Sequence, residues 1–205
     1  MRGTFITFEG CEGVGKSTQL LLLRDYLKRT QQNAIFTREP GGTSISEQIR
    51  NIIMSCDNNE MSAVTEAMLY AASRAQHVNE LIRPALEAGE TVICDRFIDS
   101  SIAYQGGARG LGVELVKQIN APAIAECMPD LTIFIDLAPA DAFRTFKKAD
   151  RLEQEGSTFH SSVYKAYLNE VENSNGRIVK VVPCQNKMET HEKILNALRD
   201  KGVFK

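Results

Sequence analysis

Gly10-Cys11-Glu12-Gly13-Val14-Gly15-Lys16-Ser17 decides the fold. The stretch satisfies G-x-x-x-x-G-K-[ST], a pattern that wraps a phosphate chain. Its surroundings are as informative as its letters. Thr4-Phe5-Ile6-Thr7-Phe8 before it is short, β-branched and aromatic, and reads as a buried strand. Thr18 to Leu27 after it reads as a helix. Strand, glycine loop and helix are the context the motif needs. Glycines let backbone N–H groups curl around an anion, and the helix start adds free donors and a positive dipole end. Lys16 supplies a mobile cation for β- and γ-phosphates, and the Ser17 hydroxyl can ligate Mg²⁺. Gly10 to Gly15, with Lys16, Ser17 and Thr18, form the expected ATP-binding set.

The rest of the chain supports one α/β domain. With 205 residues it suits a single domain over 1–205, carrying at most a small lid. A net charge of −2 gives no reason to expect nucleic acid or an anionic membrane surface as partner. Cys11, Cys56, Cys94, Cys127 and Cys184 are odd in number and lack C-x-x-C spacing, which points to free thiols in a reducing compartment. The first strand begins almost at once, so no signal peptide is expected, and no apolar run approaches a membrane span. A cytoplasmic enzyme is the expectation.

Strands then alternate with helices. Short strands are predicted at 33–37, 90–96, 129–137 and 177–182, and helices at 44–54, 62–86 (split near Pro84), 112–126 (interrupted by Pro122), 159–172 and 191–198. Another helix is predicted to start over 140–146, and one at Phe97 to run into the Gly106-Gly107 loop. This gives about five parallel strands with helices on both faces, a three-layer fold. In such sheets ligands collect at the carboxyl ends of the strands. Asp95 ends a buried strand there, a Walker-B-like position, with Arg96 beside it. Arg38-Glu39-Pro40-Gly41-Gly42-Thr43 follows the second strand and reads either as an ordinary turn or as a second anion site. Tyr70 and Arg74 share a helix face, and Ser101, Tyr104 and Gln105 are hydrogen-bonding groups that can read a base edge. Lys147 to Gly156 is dense in mixed charge, either a solvated turn or a basic lid. His77, His160 and His191 lack ligand spacing and receive no catalytic role.

Five stretches in order resemble bacterial thymidylate kinases along essentially the whole chain: 8–19, 37–43, 70–77, 95–106 and 150–155. The resemblance implies transfer of the γ-phosphoryl group of ATP to dTMP with Mg²⁺, for dTTP synthesis, by a homodimer. It assigns Lys16 and the loop amides to the ATP phosphates, and Ser17 and Asp95 to the metal. Arg38 and Arg96 resemble clamps on the dTMP phosphate. Glu12 resembles the acidic residue that approaches the sugar 3′-hydroxyl or an acceptor-side metal. Tyr70 stands where an aromatic stacks on thymine; Arg74, Ser101 and Gln105 match readers of the thymine edge. Tyr104 matches the residue that crowds the 2′ position. Gly13 replaces an arginine that one branch of the family carries in the loop. The resemblance therefore implies a catalytic arginine from a short mobile lid over about 144–156, with Arg151 foremost and Arg144, Lys147 and Lys148 as alternatives. The adenine-side loop Pro183-Cys184-Gln185-Asn186 matches weakly. Two rivals remain: another nucleoside monophosphate or deoxynucleoside kinase, and a GTP-dependent switch. For the switch, Asn186-Lys187-Met188-Glu189 has Glu where the guanine-reading motif has Asp, and no D-x-x-G follows a suitable strand.

Overall fold

The computed structural model describes residues 1–124, 126–142 and 151–204. In chain order the strands are β1 (Phe5–Glu9), β2 (Ile35–Arg38), β3 (Val92–Asp95), β4 (Leu131–Ile135) and β5 (Ile178–Val181). The helices are α1 (Lys16–Arg29), α2 (Ser44–Met54), α3 (Ala63–His77), α4 (Arg83–Glu87), α5 (Ile98–Ser101), α6 (Val113–Ile124), α7 (Ser157–Asn173) and α8 (Lys187–Asp200). All five strands are parallel, in the order β2-β3-β1-β4-β5. The chain leaves β1 toward β2 on one side and leaves β4 toward β5 on the other. The crevice at the carboxyl ends of β1 and β4 is therefore the switch point where ligands bind such sheets, and the glycine loop lies at that end of β1.

The two-residue period of the strands divides the core. Phe5, Val92 and Cys94 face one layer with Val78, Ile82, Phe97 and Val116. Ile6, Phe8, Ile93 and Ile133 face the other with Leu23, Leu27, Ile194 and Leu198. A third cluster closes the carboxyl end, where Val14, Tyr104, Phe134, Val163 and Tyr167 pack together. β1 is buried throughout because it has a strand on each side and a helical layer on each face.

Differences from the sequence reading have local causes. The helix expected over 62–86 opens into a π-helical stretch at Val78–Ile82, and Pro84 then sits in the first turn of α4. The wider turn relieves the clash a proline makes with the preceding turn. A second π-helical stretch, Ile102–Ala108, continues α5 and carries Tyr104 and Gln105. α6 runs through Pro122. The helix expected at 140–146 is a 3₁₀ turn at Pro139–Asp141, and its remainder lies beyond the described residues. α8 begins at Lys187, four residues before the expected start, because the Asn186 carboxamide caps it by accepting from the Met188 N–H at 2.9 Å. Of the expected lid, 143–150 is outside the described residues, and the chain resumes as a turn at 151–154.

Candidate active site

The glycine loop needs its glycines for two different reasons. Gly15 holds φ +96 immediately before α1, a left-handed setting that side chains disfavour. A Cβ on Gly10 would lie 2.9 Å from the Ile135 carbonyl oxygen, so the loop lies too close to β4 for any side chain there. Lys16 opens α1 and is buried. Its Nζ donates to the Gly10 and Cys11 carbonyls, each at 3.0 Å. Burial lowers its pKa, and Arg96 adds to the effect. The lysine thus forms part of the loop's frame while lining the cavity it encloses.

That cavity has a volume of about 580 Å³ and runs from the glycine loop to α3. Its size suits a small-molecule site. Ser17 and Asp95 both line it, and Asp95 Oδ1 is buried with no hydrogen-bond partner among the described residues. A carboxylate oxygen left open in a cavity that a hydroxyl also lines suits Mg²⁺, which takes one or two protein oxygens and completes its shell with phosphate and water.

Arg96 occupies the centre. It adopts φ +68 directly after β3, costing on the order of 1 kcal/mol for a residue with a side chain. Neighbouring contacts hold it there. Its N–H donates to the Phe8 carbonyl at 2.9 Å. Nη2 donates to Glu12 Oε1 at 2.6 Å, and Nη1 to Ser100 Oγ and Tyr167 Oη, each at 3.1 Å. Tyr104 Oη also donates to Glu12 Oε1, at 3.1 Å. Burial acts to raise the Glu12 pKa, but Arg96 and Lys16 outweigh it and hold the carboxyl at about 2. Behind Arg96 stands Glu9, fully buried at the end of β1. It accepts from the Phe97 N–H at 2.7 Å, from Ser100 Oγ at 2.6 Å and from Tyr167 Oη at 2.8 Å. Burial, reinforced by Asp99, pushes its pKa to about 7 against the opposing pull of Arg96.

At the other end lie the residues expected to read a base. Tyr70, Arg74, Ser101, Tyr104 and Gln105 all line the same cavity. Arg74 is almost wholly buried. Nε donates to Glu39 Oε2 at 2.8 Å, and Nη1 donates to Ser101 Oγ and to Asn120 Oδ1. Gln105 Nε2 donates to Glu66 Oε1 at 2.9 Å. Arg38 stands at the rim, half-exposed and paired with Glu47 at 2.9 Å. Pro183, Cys184 and Gln185 line the opposite side with Lys187 and Thr190.

Arg151 is not among the cavity-lining residues. Its Nε donates to the Ile53 carbonyl at 3.1 Å and its Nη2 to Glu66 Oε2 at 2.5 Å. Arg144, Lys147 and Lys148 lie outside the described residues. Four residues without a sequence-based assignment enter the site. Arg50 lines the cavity and donates to the Pro40 carbonyl at 2.9 Å. Glu39 anchors Arg74 and accepts from, or pairs with, His77 Nδ1 at 3.0 Å. Glu9 and Glu66 stand behind Arg96 and Gln105. The signal for Glu9 and Glu66 is an acidic letter inside an otherwise apolar or helical stretch.

Comparison with known proteins bears on the family and the fold. The family model for thymidylate kinase matches residues 8–194. The chain belongs to the thymidylate kinase family. A thymidylate kinase of Symbiobacterium thermophilum is 49% identical over 196 residues, covering 95% of this chain and 91% of its own. One from Thermoanaerobacter sp. strain X514 is 45% identical over 201 residues, covering 97% and 98%. The crystal structure of the thymidylate kinase from Ehrlichia chaffeensis superposes with a TM-score of 0.80 at 31% identity, covering 97% of this chain and 99% of that one. The strand order described above is therefore that of an enzyme family that phosphorylates dTMP.

The raised Glu9 pKa has a sign that stability measurements can read. Between the ordinary carboxyl value and about 7 the folded chain binds the Glu9 proton more tightly than the unfolded chain. Stability from this group is therefore lost as pH rises through that window. Denaturant titrations of wild type and Glu9→Gln at about pH 5 and about pH 8 should show wild type losing roughly 2 kcal/mol relative to the variant on going to the higher pH. A difference that does not vary with pH would contradict the assignment.

Proposed function

We propose that the cavity binds ATP and dTMP end to end and transfers the γ-phosphoryl group of ATP to a phosphate oxygen of dTMP, giving dTDP and ADP. The observation that carries this reading is the joining of two sites in one cavity. A phosphate-binding loop occupies one end and the Tyr70–Arg74–Gln105 group the other, with Arg96 and Glu12 between them. In this reading the loop amides and Lys16 hold the β- and γ-phosphates. Arg96, from between the two anions, offsets their repulsion and the charge that spreads over the transferring group. Ser17 and Asp95 would hold Mg²⁺, which when bound would supply positive charge against the ATP phosphates. Arg38 and Arg50 supply further positive charge at the acceptor end. Tyr104, buried and hydrogen-bonded to Glu12, fills the space beside the sugar and disfavours a 2′-hydroxyl.

A homodimer in the cytoplasm belongs to the same reading. Exposed apolar residues on α2 (Ile45, Ile52) and α3 (Val64, Met68) support self-association. None of the five cysteines is in a disulfide, and no helix among the described residues is long and apolar enough to cross a membrane.

Steady-state production of ADP from Mg-ATP should be strong with dTMP, weaker with dUMP, and low with dCMP, dGMP and UMP. Turnover indifferent to the monophosphate would overturn the reading. The lid arginine is tested separately. If Arg151 supplied transition-state charge, Arg151→Ala would lower kcat by about 10³-fold. Docked on Glu66, it should instead lower the melting temperature and change kcat by less than about tenfold, and a larger fall would place it at the phosphoryl group.

A further inference from the structure

A carboxylate outside the cavity fixes the hydrogen-bond pattern that the cavity shows to a base. Glu66 lies in the first turn of α3, is fully buried and does not line the cavity. Two guanidiniums hold it as an anion. Arg109 donates through Nε to Oε1 and through Nη2 to Oε2, each at 3.2 Å, and Arg151 donates to Oε2 at 2.5 Å. Both arginines are anchored elsewhere: Arg109 on Glu155 at 2.5 Å and over the Phe159 ring, Arg151 on the Ile53 carbonyl. Glu66 Oε1 also accepts from Gln105 at 2.9 Å.

An ionised carboxylate has no proton to donate. The end of the Gln105 amide that faces Glu66 must therefore be its NH₂ group, and the carbonyl Oε1 is the end left for the cavity that Gln105 lines. Arg74, beside it, can only donate. Gln105 and Arg74 thus offer a base one acceptor and one donor. Thymine matches with N3–H as donor and O4 as acceptor. Cytosine presents an acceptor at N3 and a donor at N4 and mismatches both. Were the amide free to rotate, Gln105 would accept either base, and only Arg74 would discriminate.

We propose that Glu66 is a positioning residue for base specificity, selecting a base with an N3–H donor by locking the Gln105 amide with its carbonyl toward the cavity. This rests on reading the cavity as the dTMP site.

The test compares dTMP with 5-methyl-dCMP, which keep the same methyl group and sugar and differ at the base edge. Wild type must first prefer dTMP; if it does not, the thymidylate reading fails and Glu66 has nothing to position. Glu66→Gln offers Gln105 either a donor or an acceptor and so frees the amide. It should lower the kcat/KM ratio of dTMP to 5-methyl-dCMP by about tenfold or more, mainly through KM for dTMP, with KM for ATP unmoved. A merely structural role would lower the melting temperature and leave the ratio intact, which would overturn the proposal. In a Gln105→Ala background the same substitution should leave the ratio unchanged. An undiminished effect there would show that Glu66 acts by another route, and would also overturn it. Should Glu66→Gln fail to fold, Glu66→Asp keeps the charge but withdraws the carboxylate by one methylene. The same loss of ratio is then expected, and an unchanged ratio counts against the proposal.

Discussion

The contact between Arg96 and Glu12 is the constraint on which the rest of the site depends. It joins the end of β3 to the glycine loop that follows β1, so two neighbouring strands fix the position of one guanidinium. Arg96 meets Glu12 from a left-handed backbone, and a residue with a side chain stays there only when its surroundings leave no better choice. Glu9 supplies much of that surrounding. It ties down the amide after Arg96, the Ser100 hydroxyl and the Tyr167 hydroxyl, and the last two also accept from Arg96. The cation is thereby placed before any phosphate arrives. A preorganised charge costs little to reorient during reaction, which is why it is effective in transfer between two polyanions.

A second layer of acidic groups governs the base end by the same principle. Glu39 holds Arg74 through Nε, and Glu66 holds Gln105 through Nε2. In both places a buried carboxylate is balanced by cations and neutral donors, so burial does not leave a charge uncompensated. His77 and Thr37 complete the Glu39 group, with the imidazole bridging Thr37 Oγ1 at 2.7 Å and Glu39 at 3.0 Å. The histidine is thus structural. The residues that touch the cavity are short of freedom because those behind them are.

Much of this was legible in the sequence, and the boundary is a physical one. The glycine loop was readable because its function depends on local backbone geometry and on a helix start, both encoded by neighbouring residues. The five strands were readable because apolar, β-branched runs bounded by turns admit few other placements. Arg74, Ser101 and Gln105 reach the cavity together, as the family resemblance implied. What did not show were pairings across the sequence: Glu9 with Tyr167, Glu39 with Arg74, Glu66 with Arg109 and Arg151. No spacing rule reports contacts between residues this far apart. Arg151 illustrates the point: its letters suit a lid cation, whereas its position is set by the distant Glu66. Pro122 and the π-helical stretches were misjudged for a related reason, since tertiary packing of α6 and α3 overrides local breaking tendencies.

The most direct test of the account is the pre-set geometry of Arg96. Arg96→Lys keeps the charge but not the fork that reaches Glu12, Ser100 and Tyr167 at once. The account predicts that kcat with dTMP falls by about 100-fold or more while the ATP dissociation constant stays within a few-fold of wild type. A lysine variant with near-normal kcat would contradict it, because charge alone, without the anchored fork, would then be enough.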